Sequence, residues 1–316
     1  MDEWVAAADE HHVISVAELH GAGLCPHQIA NLVARGELTN LSRGWYAATS
    51  PDSLQHRHTL TTWAMLRAHE GRAIAAHHSA LLLLELPTYR PDLDRVRLVR
   101  RTPGSPRTRP GLSVGRTVPA EAQDAHTVTP ALAVVQHGLS SGPLSALVAA
   151  DGALRSGKTT AQDLDTALGW VQQHPRSALI RGFLDLADGR RESPGETRLA
   201  HILHLMKVSA TPQFRISEPG FEALVDFLID DEKVVLEFDG KVKYARTADE
   251  PDPFGNRRAP QEVLWHEKRR EDRLRELGYE VVRVTWSELD DPRALAQRIA
   301  AAVRRARGRR LVRQSA

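Results

Sequence analysis

The alternation of apolar and polar residues is clearest in the C-terminal half of the chain. Val225–Ile229 and Val234–Phe238 are aliphatic, β-branched or aromatic, which predicts two buried strands. The polar stretch 230–233 between them predicts a hairpin turn. The other elements predicted here are a helix capped by Ser193, a strand at 214–216, a helix at 262–277, a strand at 281–286 and a helix at 292–307. This order is typical of a mixed sheet covered by helices.

The first fifty residues follow a different pattern. Trp4–His12 can form a first helix, and Ser15 with Glu18 forms a capping box that predicts the start of a second. Pro26 suits the first position of a third helix, whose apolar residues have helical spacing. Residues 41–47 then read as a small β-hairpin. We interpret residues 1–50 as a winged helix-turn-helix, with a small structural helical module as the alternative.

The polar face of the third helix suits contact with DNA. Gln28, Asn31 and Arg35 lie on that face, and Arg43 lies in the turn of the hairpin. Gln, Asn and Arg side chains hydrogen-bond to base edges in the major groove. We therefore expect these four residues to bind DNA.

Residues 51–187 form a mixed α/β middle region with little chemistry of its own. A helix is predicted at 56–70, strands at 96–99 and 112–118, and a loop at 102–111. The paired histidines, His77 with His78 among them, suggest a metal site. Adjacent side chains diverge, so we expect surface or capping histidines instead.

Residues 152–159 satisfy the nucleotide-binding pattern GxxxxGK[ST]. Such a loop must follow a buried strand and open a helix. Residues 144–154 instead have the apolar stripe of a helix, with Gly157 as its stop and Thr160 capping the next helix. We expect no nucleotide cofactor.

Composition narrows the function classes further. The chain has 316 residues, which at about 100–200 per domain predicts two or three domains. A net charge of +2 carries no overall nucleic-acid signature, so any basic surface is local. One cysteine excludes a disulfide scaffold. The acidic opening Met1–Trp4 and the lack of an apolar run of about 20 residues predict a cytoplasmic protein without signal peptide or membrane contact.

Acidic residues converge on the predicted hairpin. Glu237, Asp239 and Lys241 share one face if the second strand extends that far, and Asp226 joins them if it points the same way. Carboxylates bind hard divalent cations, and a lysine balances phosphate charge. The set predicts phosphodiester hydrolysis with Mg²⁺ or Mn²⁺, and a solvated hairpin end is the alternative. Glu196 is a third candidate acid, or it only completes the helix cap.

Basic residues gather in two C-terminal segments. The predicted helix at 262–277 carries Lys268, Arg269, Arg270 and Arg273, which we expect to hold DNA phosphates. Residues 304–313 are arginine-rich, and they are either a second phosphate contact or a solvated tail.

Two resemblances extend this interpretation. The pattern ISVAEL…IANLVARGELTNLSRGWYA resembles the N-terminal domain of AbiEi-type antitoxins, which implies DNA contact over about the first fifty residues. The stretches SPGETRL, VDFLI, VLEFDGKVKY and EKRREDRLRELGYEVVRVTWSEL resemble the PD-(D/E)XK nuclease fold, in the branch of very-short-patch-repair endonucleases. The joined arrangement resembles a widespread actinobacterial type.

The second resemblance assigns roles to individual residues. It implies that Asp226 and Glu237 are the strand acids that ligate Mg²⁺ or Mn²⁺, and that Glu196 is the helix acid. The chain departs from the pattern at Asp239, where the family has a lysine. Lys241, Lys243 or Lys268 would then supply the cation from another position.

The sequence thus predicts an α/β (α+β) protein that binds DNA and cleaves it with a metal ion. The predicted divisions are 1–50, 51–187, a linker at 188–195, a nuclease-like domain at 196–307 and a basic tail at 308–316. The alternative is a repressor or antitoxin without catalysis, whose degenerate nuclease fold binds a cognate toxin or a second copy of the chain.

Overall fold

The computed structural model describes residues 7–240 and 260–314, with the side chains of 268–309 in the second range. The fold is mixed α/β. The chain divides into two compact units, Met1–Gly189 and Arg190–Ala316.

The first unit opens with a small antiparallel sheet. Strands β1 (Val13–Ser15), β2 (Thr39–Ser42) and β3 (Trp45–Ala47) pair in the order β1-β3-β2. Helices α1 (Val16–Gly21) and α2 (Pro26–Ala34) lie between β1 and β2 in the sequence. The predicted capping box is present, because the side chain of Ser15 accepts from the Glu18 amide and Glu18 bonds back to the Ser15 amide.

The predicted helix at Trp4–His12 is wrong for residues 7–12. These residues form turns, and His12 has a left-handed backbone with φ of 59°. The carboxylate of Asp9 accepts from the amides of His11 and Val13 at 3.0 and 2.8 Å. An aspartate that bonds to backbone amides ahead of it favours a turn over a helix.

The rest of the first unit packs helices against a second sheet. Its strands β4 (Ala73–Ala75), β5 (Val96–Arg100), β6 (Arg107–Arg109) and β7 (Leu112–Gly115) pair in the order β4-β5-β7-β6. The strand β6 lies within the predicted loop 102–111, so that prediction is wrong in part. The helices of this region are α3 (Leu54–Ala68), α4 (His77–Leu83), α5 (Pro130–Ser141), α6 (Pro143–Arg155), α7 (Ala161–Trp170) and α8 (Ser177–Leu184).

The pattern resembling a phosphate-binding loop is helical, as predicted. Helix α6 runs through Gly152 to Arg155, Gly157 follows with φ of 67°, and Thr160 caps α7. Across the described residues, no helix combines the length and the apolar character needed to cross a membrane.

Two of the histidines considered above for a metal site are core residues, so the expectation of surface or capping positions is wrong for them. His58 and His78 are only 3% and 1% exposed, and their rings lie 5.0 Å apart. The ring of His58 bonds to the Leu93 carbonyl and to the Ser79 hydroxyl. These partners satisfy polar atoms that burial would otherwise penalise.

The second unit is one four-stranded mixed sheet with helices on both faces. Helix α9 (Pro194–Leu205) precedes strands β8 (Ala210–Glu218), β9 (Phe221–Ile229) and β10 (Val234–Asp239). Helix α10 (Pro260–Glu276), strand β11 (Glu280–Thr285) and helix α11 (Pro292–Gln314) complete it. The strand order is β11-β10-β9-β8, antiparallel except between β10 and β11. The predicted strands and helices are therefore all present.

Alternation along β10 separates two cores. Val234 and Leu236 pack with Leu199 of α9 and Ile299 of α11, which we call the α9/α11 core. Val235 packs on the other face with residues that include Leu274 of α10, which we call the α10 core. Glu237 shares the alternation of Val235, so its side chain belongs to the face that α10 covers.

Helix α11 extends beyond its predicted end at Arg307. Its C-terminal arginines bind acids of the same unit. Arg305 contacts Glu280 at 3.2 Å, Arg307 contacts Glu232 at 2.6 Å, and Arg309 also pairs with Glu280. The residues predicted as a tail are thus helical to Gln314.

Candidate functional site

The candidate site lies where β9 and β10 stop pairing. Their pairing ends with Leu236 opposite Phe227. The next residue of β9 is Asp226, and its Oδ2 accepts from the backbone amide of Phe238 at 2.7 Å. A carboxylate thus replaces the carbonyl that would continue the ladder, and the chain places this acid at the point of strand separation.

Asp226 lies in a strongly negative environment. Burial, followed by the nearby charges of Glu196 and Glu237, raises the pKa of its carboxyl from 3.8 to about 7. The Phe238 amide and the Arg270 guanidinium oppose this rise. The charges of Glu196 and Glu237 are therefore near enough to act on Asp226, and a cation would relieve the repulsion.

Glu237 is held by a cation from helix α10. The Nη2 atom of Arg270 lies 2.7 Å from each Glu237 carboxylate oxygen, and the Glu237 side chain is 14% exposed. The Nη1 atom of Arg270 donates to the Leu224 carbonyl at 3.2 Å. On the neighbouring strand, Arg283 pairs in register with Glu237 and binds Glu271 of α10 at 2.7 Å. Charges of opposite sign thus alternate between α10 and the sheet.

Glu196 takes part in the N-terminal cap of helix α9, which is the alternative role predicted for it. Its backbone amide donates to the hydroxyl of the cap residue Ser193 at 3.2 Å. Its Oε1 accepts from the same hydroxyl at 2.7 Å, and its Oε2 accepts from the Glu192 amide at 2.9 Å. Oε2 also accepts from the Gln213 side chain at 3.1 Å. The buried carboxylate is therefore both a cap and a charge beside Asp226.

A glycine lets α9 approach the site. A Cβ built on Gly195 would lie 2.0 Å from the Phe238 ring, which is closer than real Cβ atoms come. The ring of Phe238 packs edge-on against Trp286, with centroids 5.1 Å apart. The absent side chain therefore permits the close packing of helix and strand that sets Glu196 near Asp226.

The remaining predicted site residues are dispersed. Asp239 ends β10 in register with Thr285, and Lys241 and Lys243 lie outside the described residues. On α10, Lys268 and Arg269 are exposed, and Arg273 is exposed and contacts Glu276 at 2.8 Å. Arg270, predicted to hold phosphate, instead contacts Glu237.

The predicted DNA-binding residues of the first unit are exposed on and near α2. Gln28, Asn31 and Arg35 are solvent-accessible, as is Arg43 in the turn between β2 and β3. Gln28 also accepts from the Cys25 amide at 2.8 Å, and Arg35 contacts Glu37 at 2.7 Å. Their DNA contacts remain a prediction.

The carboxylates of the site match the ligand preference of a divalent cation in part. Mg²⁺ and Mn²⁺ favour carboxylate oxygens, which Asp226 and Glu237 provide at neighbouring positions. In the part of the chain that the structure describes, no group of three His, Cys, Asp or Glu residues is placed to hold a metal. Asp226 and Glu237 fit as two ligands, whereas the Glu196 oxygens already accept from three donors.

The contacts that two residues make in the site could not be predicted from the sequence. Arg270 was predicted to be a phosphate contact, and its pairing with Glu237 joins residues 33 positions apart. Gln213 was not singled out at all, because one glutamine on a short polar strand has no distinguishing pattern. A left-handed backbone marks it only in the structure.

Comparison with known proteins finds distant likenesses, and no family model matches the chain. Two Mycobacterium tuberculosis proteins are each 29% identical over 286 residues, which are 87% of this chain and 96% of theirs. They are Uncharacterized protein MT2308 (strain CDC 1551 / Oshkosh) and Uncharacterized protein Rv2248 (strain ATCC 25618 / H37Rv).

Two solved structures are also similar. The homing endonuclease I-Bth0305I catalytic domain matches 34% of this chain and 89% of that chain, at 23% identity and a TM-score of 0.25. The RV2827C protein from Mycobacterium tuberculosis matches 68% of this chain and 89% of that chain, at 17% identity and a TM-score of 0.35. At these levels, only the geometry of the site supports a function.

Proposed function

We propose that the protein is a metal-dependent endonuclease that acts on DNA. The observation that carries this proposal is that Asp226 and Glu237 lie beside the point where β9 and β10 stop pairing. Burial and two neighbouring acids raise the pKa of Asp226 to about 7. A strongly perturbed carboxyl group beside other acids is typical of functional sites.

Each residue of the site has a proposed role. Asp226 and Glu237 would hold the cation, which when bound supplies positive charge to a phosphate and lowers the pKa of water. Glu196 adds negative charge from the start of α9. Arg270 is 26% exposed, and its guanidinium can bind a phosphate oxygen once Glu237 releases it. Asp239 would extend the site at the end of β10, and Lys241 would balance phosphate charge.

Two surfaces are proposed to bind the DNA itself. Gln28, Asn31 and Arg35 would hydrogen-bond to base edges. Arg43, in the β2–β3 turn, would contact the phosphate backbone of the DNA. Phosphate contacts would come from the exposed α10 residues Lys268, Arg269 and Arg273.

A plasmid-nicking assay tests the enzyme. Supercoiled DNA is incubated with the full chain and Mg²⁺ or Mn²⁺, and with the variants Asp226→Asn and Glu237→Gln. We expect each variant to lose about 100-fold or more of the nicking rate, since even outer-shell partners of a metal contribute about 10–100-fold. The control Glu222→Gln changes an exposed acid of the same strand, which pairs with Arg215. Full activity in both site variants refutes the proposal.

A non-catalytic repressor or antitoxin is the second candidate. The observation that favours it is the contact of Arg270 with both Glu237 oxygens, which neutralises that acid without a metal. Specific DNA binding without cleavage, unchanged in Asp226→Asn and Glu237→Gln, would support it. Its partner would then be a cognate toxin or a second copy of this chain. The cleavage assay repeated with RNA tests whether DNA or RNA is the substrate.

A further inference from the structure

Gln213 has a backbone conformation that strands rarely contain. It lies within β8, yet its φ is 50°, in the left-handed region that favours glycine. The β8–β9 register contains Pro212 opposite Phe227 and Phe214 opposite Val225, and it omits the pair between them. That omitted pair is Gln213 and Asp226. The strained residue therefore stands across from the central acid of the site.

The side chain of Gln213 reaches a second acid. Its Nε2 donates to Glu196 Oε2 at 3.1 Å. Glu196 is only 5% exposed, and a buried carboxylate needs such donors in place of its hydrogen bonds with water. Gln213 thus connects the α9 acid to the point of the sheet where Asp226 lies.

The kink also has a packing consequence. On one side of it, Ala210 of β8 and Phe227 of β9 belong to the α9/α11 core. On the other side, Ile216 and Val225 belong to the α10 core. A left-handed residue lets the strand change cores, and glycine would do so without strain. Packing alone therefore explains the backbone, and it leaves the amide side chain unexplained.

We propose that Gln213 is a positioning residue of the cation site, acting through the Glu196 carboxylate. Its amide fixes Oε2 of Glu196 and holds that carboxylate in place near Asp226, which strengthens the attraction of the site for a divalent cation. This inference rests on the proposed function, because it assumes that Asp226 and Glu237 bind the cation.

The variant Gln213→Gly separates the side chain from the backbone. Glycine accepts the left-handed φ and removes the side chain, so relief of backbone strain and loss of the hydrogen bond to Glu196 oppose each other, and we expect a small change in the thermal midpoint. We expect the Kd for Mn²⁺, measured by calorimetry on the full chain, to rise about 3- to 10-fold, the low end for outer-shell partners. The nicking rate should fall at limiting Mn²⁺ and recover at saturating Mn²⁺.

A control introduces glycine at another residue with a left-handed backbone. Asp231 is also non-glycine with a left-handed backbone, φ 63°, in the turn between β9 and β10. Asp231→Gly should leave the Kd for Mn²⁺ unchanged. If Gln213→Gly binds Mn²⁺ as wild type does, or if wild type binds none, the role of Gln213 is refuted. If Gln213→Gly weakens Mn²⁺ binding while wild type cleaves no nucleic acid, the nuclease proposal fails and the positioning role stands.

Discussion

The guanidinium of Arg270 binds both carboxylate oxygens of Glu237, with Nη2 2.7 Å from each. Helix α10 thus places its own positive charge where a divalent cation would be held. The Arg270 guanidinium and a bound metal ion would therefore compete for the Glu237 carboxylate.

Replacing Arg270 should expose this competition. Arg270→Gln leaves Glu237 without its ion pair, so we expect the metal-free protein to lose about 1–3 kcal/mol of stability. Added Mn²⁺ should then raise the thermal midpoint more in the variant than in wild type, because no guanidinium has to be displaced.

The control for this experiment is Arg215→Gln, since Arg215 forms an exposed ion pair with Glu222. We expect its Mn²⁺ response to equal that of wild type. A smaller Mn²⁺ response in Arg270→Gln than in wild type would show that Arg270 assists cation binding.

Asp226→Asn should stabilise the protein at alkaline pH while abolishing nicking. The folded state raises the pKa of Asp226 from 3.8 to about 7, so the contribution of Asp226 to stability falls as pH rises between these values. Asparagine does not ionise and can still accept from the Phe238 amide. We expect a gain of about 1–2 kcal/mol in urea unfolding near pH 8, which shrinks towards pH 4. An equal or lower stability near pH 8 would contradict this expectation.

The buried histidines of the first unit should make the protein sensitive to acid. Burial, the largest cause, lowers the pKa of His77 to about 4, of His78 to about 3 and of His137 to about 4. Unfolded histidines bind protons below about pH 6.5, whereas these do not, so stability falls from that pH down to about 4.

Thermal unfolding of the full chain near pH 7 and pH 5 measures this loss. The variant His78→Gln removes one of the titrating groups and should lose less stability on acidification than wild type does. His27→Gln, at an exposed position of α2, should behave as wild type. An equal loss of stability in wild type and His78→Gln would contradict the proposed acid sensitivity.

Gly195→Ala should destabilise the second unit. The added methyl group meets the Phe238 ring at 2.0 Å and must push α9 or the ring aside, at a cost of about 1–3 kcal/mol in urea unfolding. Gly182→Ala is the control, because Gly182 lies within α8 with open space around its Cβ position. That substitution should stabilise by about 0.5–1 kcal/mol. Phe238→Leu combined with Gly195→Ala should restore part of the loss.

Local signals in the sequence predicted most elements of the second unit. The runs around Asp226 and Glu237 predicted β9 and β10, and Ser193 predicted the start of α9, because alternation and capping depend only on residues a few positions apart. The same kind of signal separated a helix from a phosphate-binding loop at residues 152–159. The sequence thus determined which acids lie on adjacent elements.

Only the tertiary structure decided what those acids contact. The pairing of Arg270 with Glu237, the left-handed backbone of Gln213 and the burial of His58 and His78 depend on how distant segments pack. An exposed and a buried charged residue have the same local sequence pattern. Whether the side chain is buried depends on which other element packs over it and on the register of that packing. For that reason the sequence predicted the carboxylates, and the fold placed Arg270 and Gln213 beside them.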